Sequence, residues 1–183
     1  DKNMKKAYNR YQLYKRCDDD EIICFLDGDD RLYDNNVLEK LNNEYQSDIK
    51  LKYGSYYKCE NNKITTFVKS KVYENNVILH NLYRQMKGWY GIPLRTGYAS
   101  LYKSMPESYM LDNKGNWMSA CTDVAEFLWG IEHSEGKFKN IDYPTYVYNI
   151  DASKRFKNSM YNLNKKELQY RINTSEKIFN YNM

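Results

Sequence analysis

Apolar residues fall at helical spacing from the start: Met4, Ala7, Tyr8, Tyr11 and Leu13 lie near one face, while Lys5, Lys6, Arg10, Lys15 and Arg16 are left to solvent. This predicts a helix over residues 4 to 16, ended by the acidic run Asp18 to Glu21. Ile22-Ile23-Cys24-Phe25-Leu26 is then an unbroken apolar run of strand length, the pattern of a central parallel strand covered on both faces. It stops at Asp27-Gly28-Asp29-Asp30, after which Asp34 can cap a helix carrying Val37, Leu38, Leu41 and Tyr45. Ile49, Leu51, Tyr53, Ser55 and Tyr57 alternate, break at Glu60-Asn61-Asn62-Lys63, and resume as Ile64 to Val68, which predicts a β-hairpin. Ile78, Leu79, Leu82, Tyr83 and Met86 return to helical spacing over 74 to 87, closed by Gly88, Gly91 and Pro93. Arg95 to Tyr102 reads as a short strand or helix, and Pro106 to Trp117 as turns. Val124, Phe127, Leu128 and Ile131 form the stripe of a helix ending near Gly136; Tyr146 to Tyr148 is a late strand, and residues 164 to 179 form a weakly amphipathic helix.

Composition narrows the class. With 183 residues the chain has the size of one domain, and 16% aromatic content, including 20 Tyr, argues against disorder. No run of about 20 apolar residues is present, so no transmembrane segment is predicted. The 28 Lys and Arg against 24 Asp and Glu are scattered along the chain, which argues against a nucleic-acid stripe, although a basic, Tyr-rich nucleic-acid-binding domain is one alternative. Cys17, Cys24, Cys59 and Cys121 lack CxxC spacing, which predicts reduced thiols and a cytoplasmic setting. Residue 1 is Asp and the first periodic segment begins at once, as in a piece excised from a longer chain.

The acidic turn offers the clearest chemistry. Asp27 and Asp29 follow an apolar strand, where carboxylates reach the crevice at the carboxyl edge of an open α/β sheet and Gly28 lets a ligand approach the backbone. Carboxylate oxygens are hard donors suited to Mg²⁺ or Mn²⁺, leaving coordination positions for diphosphate oxygens. The competing reading is a plain turn followed by acids favoured at a helix start. A calcium loop fails on register, because the sixth position from Asp27 is Leu32 and the twelfth is Leu38.

Phe25-Leu26-Asp27-Gly28-Asp29-Asp30 resembles the hallmark of the family 2 glycosyltransferases, a buried strand ending in Asp-x-Asp-Asp. Ala7-Tyr8-Asn9-Arg10 looks like the helix before that strand, and Leu94-Arg95-Thr96, Gly115-Asn116-Trp117, Thr122-Asp123, Ile131-Glu132 and Tyr146 to Asn149 look like the family's later segments. The resemblance covers roughly residues 3 to 150. It implies an α/β fold of the GT-A, Rossmann-like kind: a mostly parallel sheet flanked by helices, with the hairpin as an excursion and 151 to 183 as a C-terminal helical extension. The family's N-terminal nucleotide-binding strands have no counterpart before Asp1, so the domain is expected to be truncated. The Gln-x-x-Arg-Trp element of processive synthases is also missing, since Gln85 to Trp89 matches only at its ends.

The activity so implied is metal-dependent, inverting transfer of a sugar from a nucleotide diphosphate, first of all a UDP-sugar, to a hydroxyl of a glycan, protein or lipid. Asp27 and Asp29 would hold Mn²⁺ or Mg²⁺; Asp27, Gly28, Asp29 and Arg95 would contact the donor; Asp123 would be the catalytic base. A sugar hydroxyl is a poor nucleophile, and a carboxylate beside it can take its proton. The alternative for Asp123 is a helix cap, since Glu126 stands at capping-box spacing. Trp89 and Trp117 could stack on an acceptor sugar or pack in the core. A non-catalytic nucleotide- or sugar-binding relative is the alternative for the whole chain.

Overall fold

A computed structural model describes residues 5–45, 48–155 and 163–181. The expected position of Met4 lies outside the described residues, as does part of the C-terminal extension. Helix α1 (Lys5–Tyr14) buries Ala7, Tyr11 and Tyr14, whereas Leu13 is exposed. Strand β1 (Ile22–Phe25) follows, then β2 (Arg31–Leu32) and helix α2 (Val37–Glu44). Asn36, not Asp34, occupies the N-cap of α2; the Asp34 carboxylate instead accepts the Asn36 N–H at 2.8 Å, the local turn this side chain favours.

The predicted hairpin is β3 (Leu51–Glu60) and β4 (Lys63–Val68), joined through Asn61 and Asn62, both at positive φ. That conformation matches the twist of a two-residue hairpin turn, and Asn tolerates it better than most residues. The single helix expected over 74 to 87 is broken: α3 (Asn75–Leu79) stops, Asn81 turns to φ 53°, and a 3-10 turn follows at Tyr83–Gln85. Arg95 to Tyr102 is both strand and helix, β5 (Arg95–Tyr98) running into α4 (Ala99–Lys103). Helix α5 (Thr122–His133), strand β6 (Phe138–Asn149) and helices α6 (Ile150–Arg155) and α7 (Lys165–Phe179) complete the order, with a second 3-10 turn at Glu107–Met110. Asn164 and Glu167 cap α7 reciprocally.

The six strands form one mixed sheet in the order β1-β5-β3-β6-β2, with β4 beside β3. Only β3 and β6 pair in parallel; β1 with β5, β5 with β3, β2 with β6 and β3 with β4 are antiparallel. The expected mostly parallel sheet is therefore corrected to a mixed one. The central place expected for β1 is also corrected, because it stands at one end of the order and pairs with β5 alone.

Both faces of the sheet are nevertheless covered. Phe25, Leu51 and Tyr53 pack with α1, α4 and α5 in the larger core, and Cys24, Leu94 and Tyr146 pack with Val37 and Leu41 of α2 in the smaller. Because β1, β3 and β6 all run opposite to β5, β1 and β6 end toward the side from which β5 starts; Phe25 is in register with Arg95 and, through Tyr53, with Asn140 of β6. All four cysteines are free, and no helix among the described residues is long and apolar enough to cross a membrane.

Candidate functional site

The acidic turn leaves β1 at the edge where β6 ends. A backbone bond from the Asp30 N–H to the Asp27 carbonyl closes it at 3.1 Å. Asp30 faces β6: its carboxylate accepts the Tyr146 hydroxyl at 2.5 Å and the Asn149 N–H at 2.7 Å. Burial pushes this carboxyl up to about 6; the bonds from Asn149 and Tyr146 oppose the rise, and the charges of Asp29 and Asp27 add to it. Asp30 thus fastens the turn to the sheet.

Asp27 points the other way, toward α1. One oxygen meets Lys6 Nζ at 2.8 Å and Arg10 Nη2 at 3.1 Å. Burial works upward on its pKa, but Lys6, Arg10 and Arg95 outweigh it and hold the carboxyl below its ordinary value. Asp29 is half-buried and makes no hydrogen bond or ion pair among the described residues. A Cβ at Gly28 would meet nothing within 4 Å, so the protein's own packing does not call for glycine there.

Arg10 joins the turn to α5. Its Nη1 lies 2.5 Å from Glu126, whose side chain is 1% exposed and also accepts the Tyr14 hydroxyl. Burial works against the guanidinium charge, but Glu126, Tyr14 and Asp27 outweigh it and raise the pKa of Arg10. The solvated place expected for Arg10 is corrected. It stands three residues after Ala7 and four before Tyr14, on the buried face of the helix. The capping box that stood as the alternative for Asp123 and Glu126 is absent: the N-cap is Cys121, at φ 59°, with no side-chain bond, and Glu126 is turned inward.

Arg95 stands between the two acidic elements. Its side chain, 8% exposed, lies over the Phe25 ring beside Arg10, donates to the Gly91 carbonyl at 2.9 Å, and reaches within 3.9 Å of Asp123. Gly91 permits this loop course, since a Cβ there would sit 2.5 Å from the Phe127 ring. Arg95 Nε and Thr122 Oγ1 are buried without a hydrogen-bond partner among the described residues. Such orphaned donors are rare in folded proteins and commonly mark a place where water, an ion or a ligand completes the bonding.

Asp123, 45% exposed, opens from the first turn of α5 into a cleft of about 770 Å³ that Trp89 and the outer side of α7 also line. Trp89 packs edge-on against Phe127 at 5.4 Å. Trp117 is elsewhere, against Tyr8 and Tyr11 of α1 at 5.2 and 5.4 Å, so the structure does not bring it to Trp89. The site therefore gathers Asp123 and Trp89 in the cleft and links the acidic turn to it through Arg95, Arg10 and Glu126. Sequence reading passed over Lys6, Arg10, Glu126 and Asp30 as site residues; the signal for Arg10 was its helical register with Ala7 and Tyr14. Among the described residues no three His, Cys, Asp or Glu side chains converge as a metal cage. Compared with models of known protein families and with curated proteins, the chain matches none.

Proposed function

We propose that this chain carries the catalytic part of an inverting, metal-dependent glycosyltransferase of GT-A type, acting on a nucleotide-diphosphate sugar and a hydroxyl acceptor. The observation behind this reading is the bridge from the acidic turn to α5: Arg10 binds Asp27 and Glu126, and buried Arg95 lies within 3.9 Å of Asp123. Donor-side and acceptor-side carboxylates are thereby held in one neighbourhood. The reading rests on these contacts and not on a central position of β1.

Asp29, with no partner among the described residues, and the second oxygen of Asp27 fit a divalent cation that takes most of its ligands from diphosphate and water. When bound, that cation would neutralise the departing nucleoside diphosphate. Arg95, with its unpartnered Nε, would contribute positive charge toward the same group. Asp123 would take the acceptor proton while the acceptor oxygen bonds the anomeric carbon and the bond from that carbon to diphosphate oxygen breaks. Attack from the face opposite the leaving group inverts the configuration.

Release of UDP from UDP-sugars, measured over a panel of hydroxyl acceptors with and without Mn²⁺, tests this. Cation-dependent release that Asp29→Ala abolishes is expected; release undiminished by that change in the presence of chelator would overturn it. One observation favours a second reading, a non-catalytic nucleotide- or sugar-binding relative. Lys6 and Arg10 already compensate Asp27, which could serve structure alone. Under that reading nucleotide binds without a cation and no donor is consumed.

A further inference from the structure

Helix α7 carries two apolar stripes. Thr174 and Ile178 are buried toward the core, whereas Leu168, Ile172 and Phe179 are exposed and line the cleft that holds Asp123. The helix is a fixed wall. Arg84 bonds Glu132 of α5 at 2.5 and 2.7 Å and the Ile178 carbonyl, Lys177 reaches the Ser108 carbonyl at 2.9 Å, and Cys121 meets Ser175 at 3.4 Å. Trp89 and Val124 close the opposite side. The cleft's 770 Å³ falls within the range of roughly 300 to 1,000 Å³ typical of small-molecule sites.

We infer that this cleft binds an amphiphilic acceptor, its hydroxyl-bearing head at Asp123 and a hydrocarbon tail along Leu168, Ile172 and Phe179 of α7. The head end rests on the glycosyltransferase reading; the tail end does not. Arg171, Ser175, Glu176 and Asn180 also line the cleft, but its wall is mostly apolar, and a hydrocarbon laid along Leu168, Ile172 and Phe179 gains by leaving water. A second copy of the chain fits less well. The face carries Asp123 and Glu176 against a single Arg171, so a two-fold contact through it would set two surfaces of excess negative charge together.

Calorimetric titration with methyl, hexyl and octyl glucoside, each below its micelle concentration and without nucleotide or metal, tests the tail site. Methyl glucoside should give no measurable heat, and affinity should rise roughly fourfold per methylene from hexyl to octyl. The double change Leu168→Asn with Ile172→Asn alters only exposed side chains, so circular dichroism should be unchanged while octyl glucoside loses at least about tenfold in affinity. Asp123→Asn should leave the length dependence intact. An affinity series that is flat, or one the double variant does not alter, overturns the inference. So does a concentration-dependent dimer that the double variant dissociates, which would assign the cleft to a second copy. Transfer to hydrophilic acceptors with a flat series would remove this inference and keep the transferase. Length-dependent binding with no transfer from any donor would keep the hydrocarbon site and remove the transferase.

Discussion

Arg10 is placed by the same helical period that buries Ala7 and Tyr14, and its two ion pairs make the acidic turn and α5 mutually dependent. Removing Glu126 as Glu126→Ala leaves a largely buried guanidinium without its nearest partner. Such a break costs about 3 kcal/mol or more, read as a lower urea midpoint. Asp30 gives a pH signature. Its folded-state value of about 6 lies above the roughly 3.9 of an unfolded aspartate, so the folded state binds more protons between those limits. Stability contributed at this site therefore falls as pH rises through that window. Asp30→Asn does not titrate, so its urea midpoint relative to wild type should improve between about pH 4.5 and 7; a constant difference would show an ordinary carboxylate at Asp30. In the proposed transfer, Asp123 belongs to turnover instead. Asp123→Asn keeps shape and polarity but removes the charge and the proton acceptor, so donor binding should persist while turnover falls roughly 10²- to 10⁴-fold, measured as initial rate at saturating donor. A normal rate in this variant would leave Asp123 a mere surface acid.

Elements were legible where burial alone shapes the pattern. The alternation of β3, the stripe of α5 and the run of β1 all reported covered faces, and those faces are covered. What the run in β1 did not report is its edge. Strand neighbours are chosen through backbone N–H and C=O groups that every residue shares, so Ile22 to Phe25 reads alike in the centre of a sheet or at its end. The break between α3 and the Tyr83 turn was hidden for a similar reason, since Asn81 carries no stronger stop signal than its neighbours Asn75 and Asn76. Helix α7, weakly amphipathic by sequence, owes its position to distant groups, above all Arg84. Arg84→Met would leave Glu132, 1% exposed in its side chain, buried without its cation, at a cost of about 3 kcal/mol. Hydrogen exchange should show α7 losing protection before β3 does. Equal loss in both would mean that Arg84 supports the whole core and not the docking of one helix.

At the scale of the molecule, the candidate site joins parts far apart in the chain, and this limits what sequence could reveal. The acidic turn and Asp123 stood out by residue type; their connection did not, because Arg10, Arg95 and Glu126 acquire their roles only when α1, β5 and α5 pack together. That arrangement makes two halves of the proposed chemistry separable by ligand-linked stability. A ligand that binds only the folded chain stabilises it by about 2.7 kcal/mol at a hundred times its dissociation constant. For a protein of this size each kcal/mol raises the melting temperature by roughly 2 to 4 °C. Saturating UDP with Mn²⁺ should thus raise Tm by about 5 to 10 °C in scanning calorimetry, and neither UDP with chelator nor Mn²⁺ alone should match it. Asp29→Ala should lose the joint effect, because the cation then has one carboxylate fewer to hold it beside the diphosphate. Asp123→Asn should retain it in full, since the proposed base would face the acceptor and not the donor. The same shift in Asp29→Ala as in wild type would remove the acidic turn from the donor site, and loss of the shift in Asp123→Asn would mean that α5 positions the donor instead of activating the acceptor.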